Sequence, residues 1–376
     1  MMKSMKQIRG ASVACLLAVP LVLSSCSLFG SESASVDPPP SEVEAQMLQV
    51  SGETTLDTGV LGPVAEEDAQ TVASDGGKLS SGNSASGSLT TVFLKDDNGL
   101  LAPVSLSLPK SDETTMLKDS LTALVSKGAY ASSVPNGFQG ILPAGTEVKN
   151  VTVDKSSGLA VIEFNKNFNA YDAADEREIL EAITWTLTGE SGIKGVQLWV
   201  DGKKLTEMPL KGTPLDRPLS RSMGINLPKH TQLLMNSSAV TVYFSAASPD
   251  GIQYYVPVTR FVPAGQDTLK AALNELITGP ESGDGLEMVM TQGTVLDAVE
   301  AGQNGVVTVS LTDDMFADGK GVPTEMLESV VLTVAQNTED ALVQIRMNGK
   351  DTVTGTDNID YGKPVSAPDY VNELPL

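Results

Sequence analysis

Apolar positions along this chain recur with two spacings, and each change of spacing marks an element. Around residue 160, Ala160, Ile162 and Phe164 alternate with Leu159, Val161 and Glu163; around 309, Val307, Val309 and Leu311 alternate with Thr308 and Ser310. Period two predicts strands with one covered and one open face. A four-residue spacing replaces it at Leu117, Leu121, Leu124 and Val125, and again at Leu269, Leu273, Leu276 and Ile277. One apolar stripe per helix predicts burial of one face against a sheet. Asp267 is placed to cap the second of these helices and Gly279-Pro280 to stop it, whereas Lys127-Gly128 is the expected end of the first. Strand-like runs at 91–94 and 101–108, and at 240–244 and 253–261, flank Asp97-Asn98-Gly99 and Pro249-Asp250-Gly251, which predicts two hairpins. A further helix at about 175–188 and at 324–336 precedes a short strand at 196–200 and at 342–347.

These elements come twice in one order. Thr91 to Phe93 returns as Thr241 to Tyr243, Pro103-Val104 as Pro257-Val258, Gly158 to Phe164 as Gly305 to Leu311, and Val196 to Leu198 as Val343 to Ile345. The trailing segments agree as well, with Pro218, Ser220, Ile225 and Asn226 matching Pro364, Ser366, Val371 and Asn372. A period this long denotes two whole domains and not a solenoid. Each is read as helix, strand, strand, helix, strand after an N-terminal hairpin: an α+β unit with both helices on one face of a small sheet.

Composition shifts at the N-terminus. Lys3, Lys6 and Arg9 precede an apolar run, Ala11 to Leu23, too short to span a bilayer, and the run ends in Leu23-Ser24-Ser25-Cys26. An aliphatic residue, two small residues and a cysteine form a bacterial lipobox, in preference to an ordinary secretory signal. Cys26 is therefore the expected site of lipid attachment, with acyl chains such as palmitate anchoring the first residue of the mature chain to the outer face of a cell membrane. From Ser27 to about Ser88 the chain is rich in Ser, Gly, Pro, Glu and Asp and poor in large apolar residues, as in a flexible tether. The expected organisation is a signal at 1–25, a lipidated disordered tether at 26–88, a first domain at 89–215, a linker at 216–237 and a second domain at 238–376.

Little in the chain suggests chemistry. Cys15 falls in the signal and Cys26 carries lipid, so no thiol remains for catalysis or a disulfide. His230, in the junction between the copies, is the only histidine, which leaves neither domain a histidine for a Ser-His-Asp triad and excludes a histidine-rich metal site. The formal charge is −22, and loss of the three signal cations would deepen it, against nucleic acid as a partner. Asp314 to Glu325 has Asp, Gly and Glu at EF-hand positions but Phe316 where an oxygen ligand is required. Carboxylate pairs such as Asp96-Asp97 and Asp313-Asp314 arise without purpose among 47 acidic residues. No enzyme activity and no cofactor are expected. Tyr243, Tyr254, Tyr255 and Trp199 are the aromatics most apt to mark an interface. Alternation turns Trp199, whose counterpart is Arg346, away from the side holding Val196, Leu198 and Val200, so it is expected in the seam between the copies ahead of an external site.

The run from Gly140 to Val148 (GILPAGTEV), with Val151 to Val153 and Gly158 to Phe164, resembles the GerM domain, a sporulation and spore germination domain. Leu276 to Pro280 is similar to the end of that family's first helix, and Gln292 to Thr294 with Gly305 to Leu311 is the second match. The resemblance implies a fold like the ring-building motif of secretion-type assemblies. It also implies a membrane-anchored lipoprotein that assembles or localises an envelope complex between mother cell and forespore, with protein partners and a homo- or hetero-oligomeric state. The alternative is a lipoprotein that binds a cell-wall fragment or other small molecule in a cleft between the domains, hinged in the Pro-rich stretch 209–228.

Overall fold

The computed structural model describes residues 77–78, 87–228, 236–318, 321–338 and 341–375. The signal, Cys26, most of the tether and His230 lie outside the described residues. Among the described residues no helix is long and apolar enough to cross a membrane.

In the first repeat, strands β1 (Ser88–Asp96) and β2 (Leu101–Leu108) form the expected antiparallel hairpin, with Phe93 opposite Pro103. Helix α1 (Glu113–Ala123) follows, capped by Asp112, whose carboxylate accepts from the amides of Thr114 and Thr115. The helix ends earlier than its stripe suggests. Leu124 and Val125 leave it to bridge Leu142, trading helical hydrogen bonds for Ser126 N–H to the Leu142 carbonyl (2.8 Å) and Leu142 N–H to the Leu124 carbonyl (2.8 Å). Strands β3 (Val148–Asp154) and β4 (Leu159–Phe164) then pair antiparallel. Helix α2 (Glu176–Leu187) crosses over to β5 (Gly195–Val200), which lies parallel to β4.

The second repeat has the same plan. Strands β6 (Ser237–Ala247) and β7 (Gln253–Pro263) make the hairpin, and α3 (Thr268–Thr278) starts at Asp267, as its sequence predicts. Strands β8 (Val295–Ala301) and β9 (Val306–Thr312), helix α4 (Thr324–Asn337) and β10 (Leu342–Met347) complete it. The edge strands β3 and β8 even share a bulge, between Val148 and Asn150 in one and Leu296 and Ala298 in the other.

The alternation places Ala160, Ile162 and Phe164 of β4 beside Val196, Leu198 and Val200 of β5 on the covered face. Val307, Val309 and Leu311 meet Val343, Ile345 and Met347 in the second repeat. Both helices of each repeat lie on one face of its main sheet, four-stranded in the first repeat and five-stranded in the second, and the hairpin, which belongs to a separate sheet, covers their other side. Nine of the twelve residues of α2 from Ile179 to Leu187 are buried for that reason, Trp185 completely. Threonines on the second helices fasten the hairpins, since Thr186 Oγ1 accepts from Phe93 N–H (3.0 Å) and Thr333 Oγ1 from Tyr243 N–H (3.1 Å). Two main apolar cores result, one per repeat.

Candidate functional site

The two hairpins bring β2 and β7 side by side in the middle of the molecule. Each strand carries a proline near its centre, Pro103 and Pro257, and a residue without an N–H cannot serve a continuous backbone ladder. Two asparagines from the trailing segments take the ladder's place. Asn226 Nδ2 donates to the carbonyls of Leu101 (2.7 Å) and Pro257 (2.7 Å), while its Oδ1 accepts from Leu101 N–H (2.8 Å). Asn372 repeats the arrangement across a pseudo-twofold axis: Nδ2 donates to Tyr255 (2.8 Å) and Pro103 (2.7 Å), and Oδ1 accepts from Tyr255 N–H (2.8 Å). Both asparagines have left-handed backbone, with φ of 49° and 56°, a conformation Asn tolerates better than most residues.

The turns obey the same symmetry. Pro249, in the second hairpin turn, packs on Gly137 of the first repeat, and Asn98, in the first turn, packs on the equivalent Gly285 of the second. Both glycines have positive φ, and a Cβ on either would collide with the incoming turn.

Helix α2 fixes the first trailing segment against this seam. Glu181 accepts from Asn226 N–H (3.1 Å) and from Arg177 Nε (2.6 Å), and burial pushes its carboxyl up to about 7 despite Arg177. Trp185 Nε1 donates to the Gly224 carbonyl (3.0 Å). Arg221 stacks 4.5 Å above the Trp185 ring and donates to Gln336 Oε1 of α4 (2.7 Å), joining the repeats without a carboxylate. Farther along, Tyr254 donates to the buried Asp96 carboxylate of the other repeat (2.7 Å), and burial raises that carboxyl's pKa. Tyr255 donates to Glu328 Oε2 (2.6 Å), and burial raises the Glu328 carboxyl as well.

The stretch read as linker and hinge is therefore a structural strap over its described residues. Before it, Glu176 at the start of α2 accepts from the Tyr171 hydroxyl (2.7 Å), the amides of Lys211 (2.8 Å) and Thr213 (3.2 Å), and the Thr213 hydroxyl (2.5 Å). Burial would raise this carboxyl, but those donors outweigh it, Thr213 foremost, and hold it at about 2. Leu219 then bridges Val196, and Asn226 closes the seam, so no slack remains for a hinge up to Pro228.

Of the four marked aromatics, Tyr243, Tyr254 and Tyr255 lie on the seam hairpin. Trp199 does not reach the seam. It stands half-buried beside Glu163 on the sheet face opposite the helices, its Nε1 donating to Gln197 (3.2 Å), because the hairpin layer lies on the other side of the helix pair. Its counterpart Arg346 pairs with Asp351 (2.7 Å). In the EF-hand-like stretch, Phe316 is buried in the core, and Asp313 caps a short turn while accepting from the Thr291 and Thr294 hydroxyls. Asp313-Asp314 is thus a cap and its neighbour. Among the described residues no three His, Cys, Asp or Glu are spaced to hold a metal ion.

Two cavities flank the trailing segment 368–371. One, of about 420 Å³, is lined by Trp185, Arg221, Tyr243 and Gln336; the other, of about 480 Å³, lies in the second repeat beside Tyr255 and Glu328. Among the described residues, β3 and β8 are each the edge strand of their sheet on one side. The latter is half-exposed along its length and carries Val295, 55 % exposed, Asp297 and Glu300.

The family model "Germane: Sporulation and spore germination" matches residues 91–206 and 241–353, one match per repeat. The chain is 34 % identical over 360 residues to the spore germination protein GerM of Bacillus subtilis (strain 168), covering 94 % of each. Its fold is similar to the solved tandem GerMN domains of that organism's GerM, with a TM-score of 0.70 and 36 % identity over 76 % of this chain and 99 % of that one.

Proposed function

Because the chain belongs to the Germane family of sporulation and spore germination proteins, matched in both repeats and homologous to GerM along most of its length, we propose that it is a non-catalytic assembly or localisation factor of the sporulating cell envelope. In this reading acylation of Cys26 holds the chain on the extracytoplasmic face of a cell membrane, in the space between mother-cell and forespore membranes. The tether lets the folded part meet a protein complex beyond that membrane. Each repeat acts in the manner of a ring-building motif, docking through sheet edges instead of turning over a substrate.

The observation that carries this reading is the seam. Its polar groups, Asp96, Glu181, Asn226, Asn372 and Tyr254, all find hydrogen-bond partners within the seam. The edges β3 and β8, in contrast, face outward with a row of backbone donors and acceptors open to a partner strand. A rigid body with the polar groups of its seam satisfied and its edges open suits a docking element in a larger assembly. Deletion of the gene tests it: spore yield should fall and channel proteins of the envelope complex should lose their localisation. Normal yield with normal localisation would refute the proposal.

A further inference from the structure

The duplication allows each repeat to serve as the control for the other, and it exposes a missing cation. In the first hairpin Lys95 lies opposite Leu101; at the same register of the second, Ser245 lies opposite Tyr255. The Lys95 ammonium is held by Glu178 (2.6 Å) and Asp175 (3.1 Å) at the start of α2. In α4 the carboxylate equivalent to Glu178 is Glu325 and that equivalent to Glu181 is Glu328, while Asp175 gives way to Val322. Both cations are gone. Lys95 has become Ser245, and Arg177, the partner of Glu181, has become Thr324.

Where the lysine would reach, the second repeat has its cavity of about 480 Å³, walled by Glu325, Glu328, Asp357 and Glu373 and by no Lys, Arg or His. Two atoms there lack any hydrogen-bond partner although enclosed: the hydroxyl of Ser245, a residue with no exposed surface, and Oε1 of Glu373. Glu328 has the Tyr255 hydroxyl and no cation. Asp357 accepts from the Tyr361 hydroxyl (2.9 Å) and the Ile359 amide (3.0 Å), neither of them a cation. Carboxylates gathered around a partly buried cavity without a counter-charge repel one another, and an ammonium placed among them removes that cost. The aliphatic stem that must follow it finds Ile252, Ile359 and Tyr370 along the wall.

We propose that this cavity binds the primary ammonium end of an alkylamine, held by Glu325 and Glu328 much as Lys95 is held by Glu178 and Asp175 in the first repeat. A free diamine or a lysyl side chain of a peptide supplies this chemistry equally. Calorimetric titration of the full chain with cadaverine, with a lysine-containing tripeptide, and with n-pentanol as the uncharged control distinguishes the sources. One or both amines should bind with one-to-one stoichiometry, and n-pentanol should not. Ser245→Lys, which rebuilds the first repeat's own ammonium, should weaken amine binding about tenfold or more. Glu325→Gln, an isosteric change at a half-buried position in the first turn of α4, should weaken it by at least about threefold. The proposal is overturned if neither amine binds, if n-pentanol binds as well as they do, or if both variants bind the amines like the unaltered chain, which would place the amines on the acidic outer surface.

Discussion

Asn226 should contribute more to stability than its single amide suggests. Its side chain makes three hydrogen bonds at 2.7 to 2.8 Å, two to β2 and one to β7, so its removal strips one half of the clamp between the repeats. Each such bond contributes about 1 kcal/mol net, and more where the abandoned group stays shielded from water. In Asn226→Ala the backbone must also hold φ near 49° with a Cβ that gains nothing from it, at a cost of about 1 kcal/mol. Asn226→Ala is therefore expected to destabilise the chain by about 3–5 kcal/mol, and Asn226→Gly, free of the backbone cost, by about 1 kcal/mol less. Urea denaturation followed by tryptophan fluorescence reads this directly, because Trp185 hydrogen-bonds Gly224, two residues from the substitution. A loss below about 1 kcal/mol for Asn226→Ala would show that water replaces the clamp and that the seam rests on apolar packing alone.

Four further outcomes follow from the same geometry. Asn372→Ala and Asn226→Ala are predicted to be strongly non-additive in a double-mutant cycle, since either change alone loosens the contact the other holds; additive losses would separate the two sites. Glu176 has its pKa lowered from 4.5 to about 2, so its contribution is complete above pH 4.5 and disappears as pH falls toward 2; Glu176→Gln should lower neutral-pH stability by about 2–3 kcal/mol and flatten that acid limb in denaturation curves. Glu181 has its pKa raised to about 7, the opposite sign, so the folded state binds the extra proton and stability should decline as pH rises from 4.5 through 7; Glu181→Gln is expected to reduce that decline, and an unchanged slope between pH 5 and 7 would contradict the assignment. Tyr254→Phe leaves the buried Asp96 without its cross-seam donor and should cost about 1–3 kcal/mol in thermal or urea unfolding.

Local features were legible from residue types and their spacing. The Asp267 cap, the strand alternation around 160 and 309, and the repeat correspondence all rest on interactions within a few residues or on a period, and each appears where the sequence places it. The correspondence even paired Asn226 with Asn372 and Pro103 with Pro257, without assigning them a role. That role depends on two hairpins, more than a hundred residues apart in the chain, arriving at one seam. A sharper signal was present: a proline in mid-strand in both copies marks an edge, and an edge at the centre of a molecule must be covered. Trp199 misled for a related reason. Alternation fixed its side of the sheet, but only the layer order of sheet, helices and hairpin shows that this side faces away from the partner repeat. The early end of α1 at Ala123 is likewise a tertiary effect, because Leu142 arrives from a later loop to take the hydrogen bonds of Leu124 and Ser126. The cavity beside Ser245 could have been found by asking which acids of one copy keep their cations in the other.

The repeats lock to each other through the hairpins, and in the proposed function they dock to other proteins through the outer edges. Photo-crosslinking in sporulating cells tests both halves at once, with a photoreactive residue placed in turn at Asn150 on β3, at Asp297 on β8 and at Tyr243 beside the seam. The account predicts adducts with another envelope protein from at least one edge position, and only intramolecular crosslinks from Tyr243. Intermolecular adducts from the seam position, with none from either edge, would contradict it.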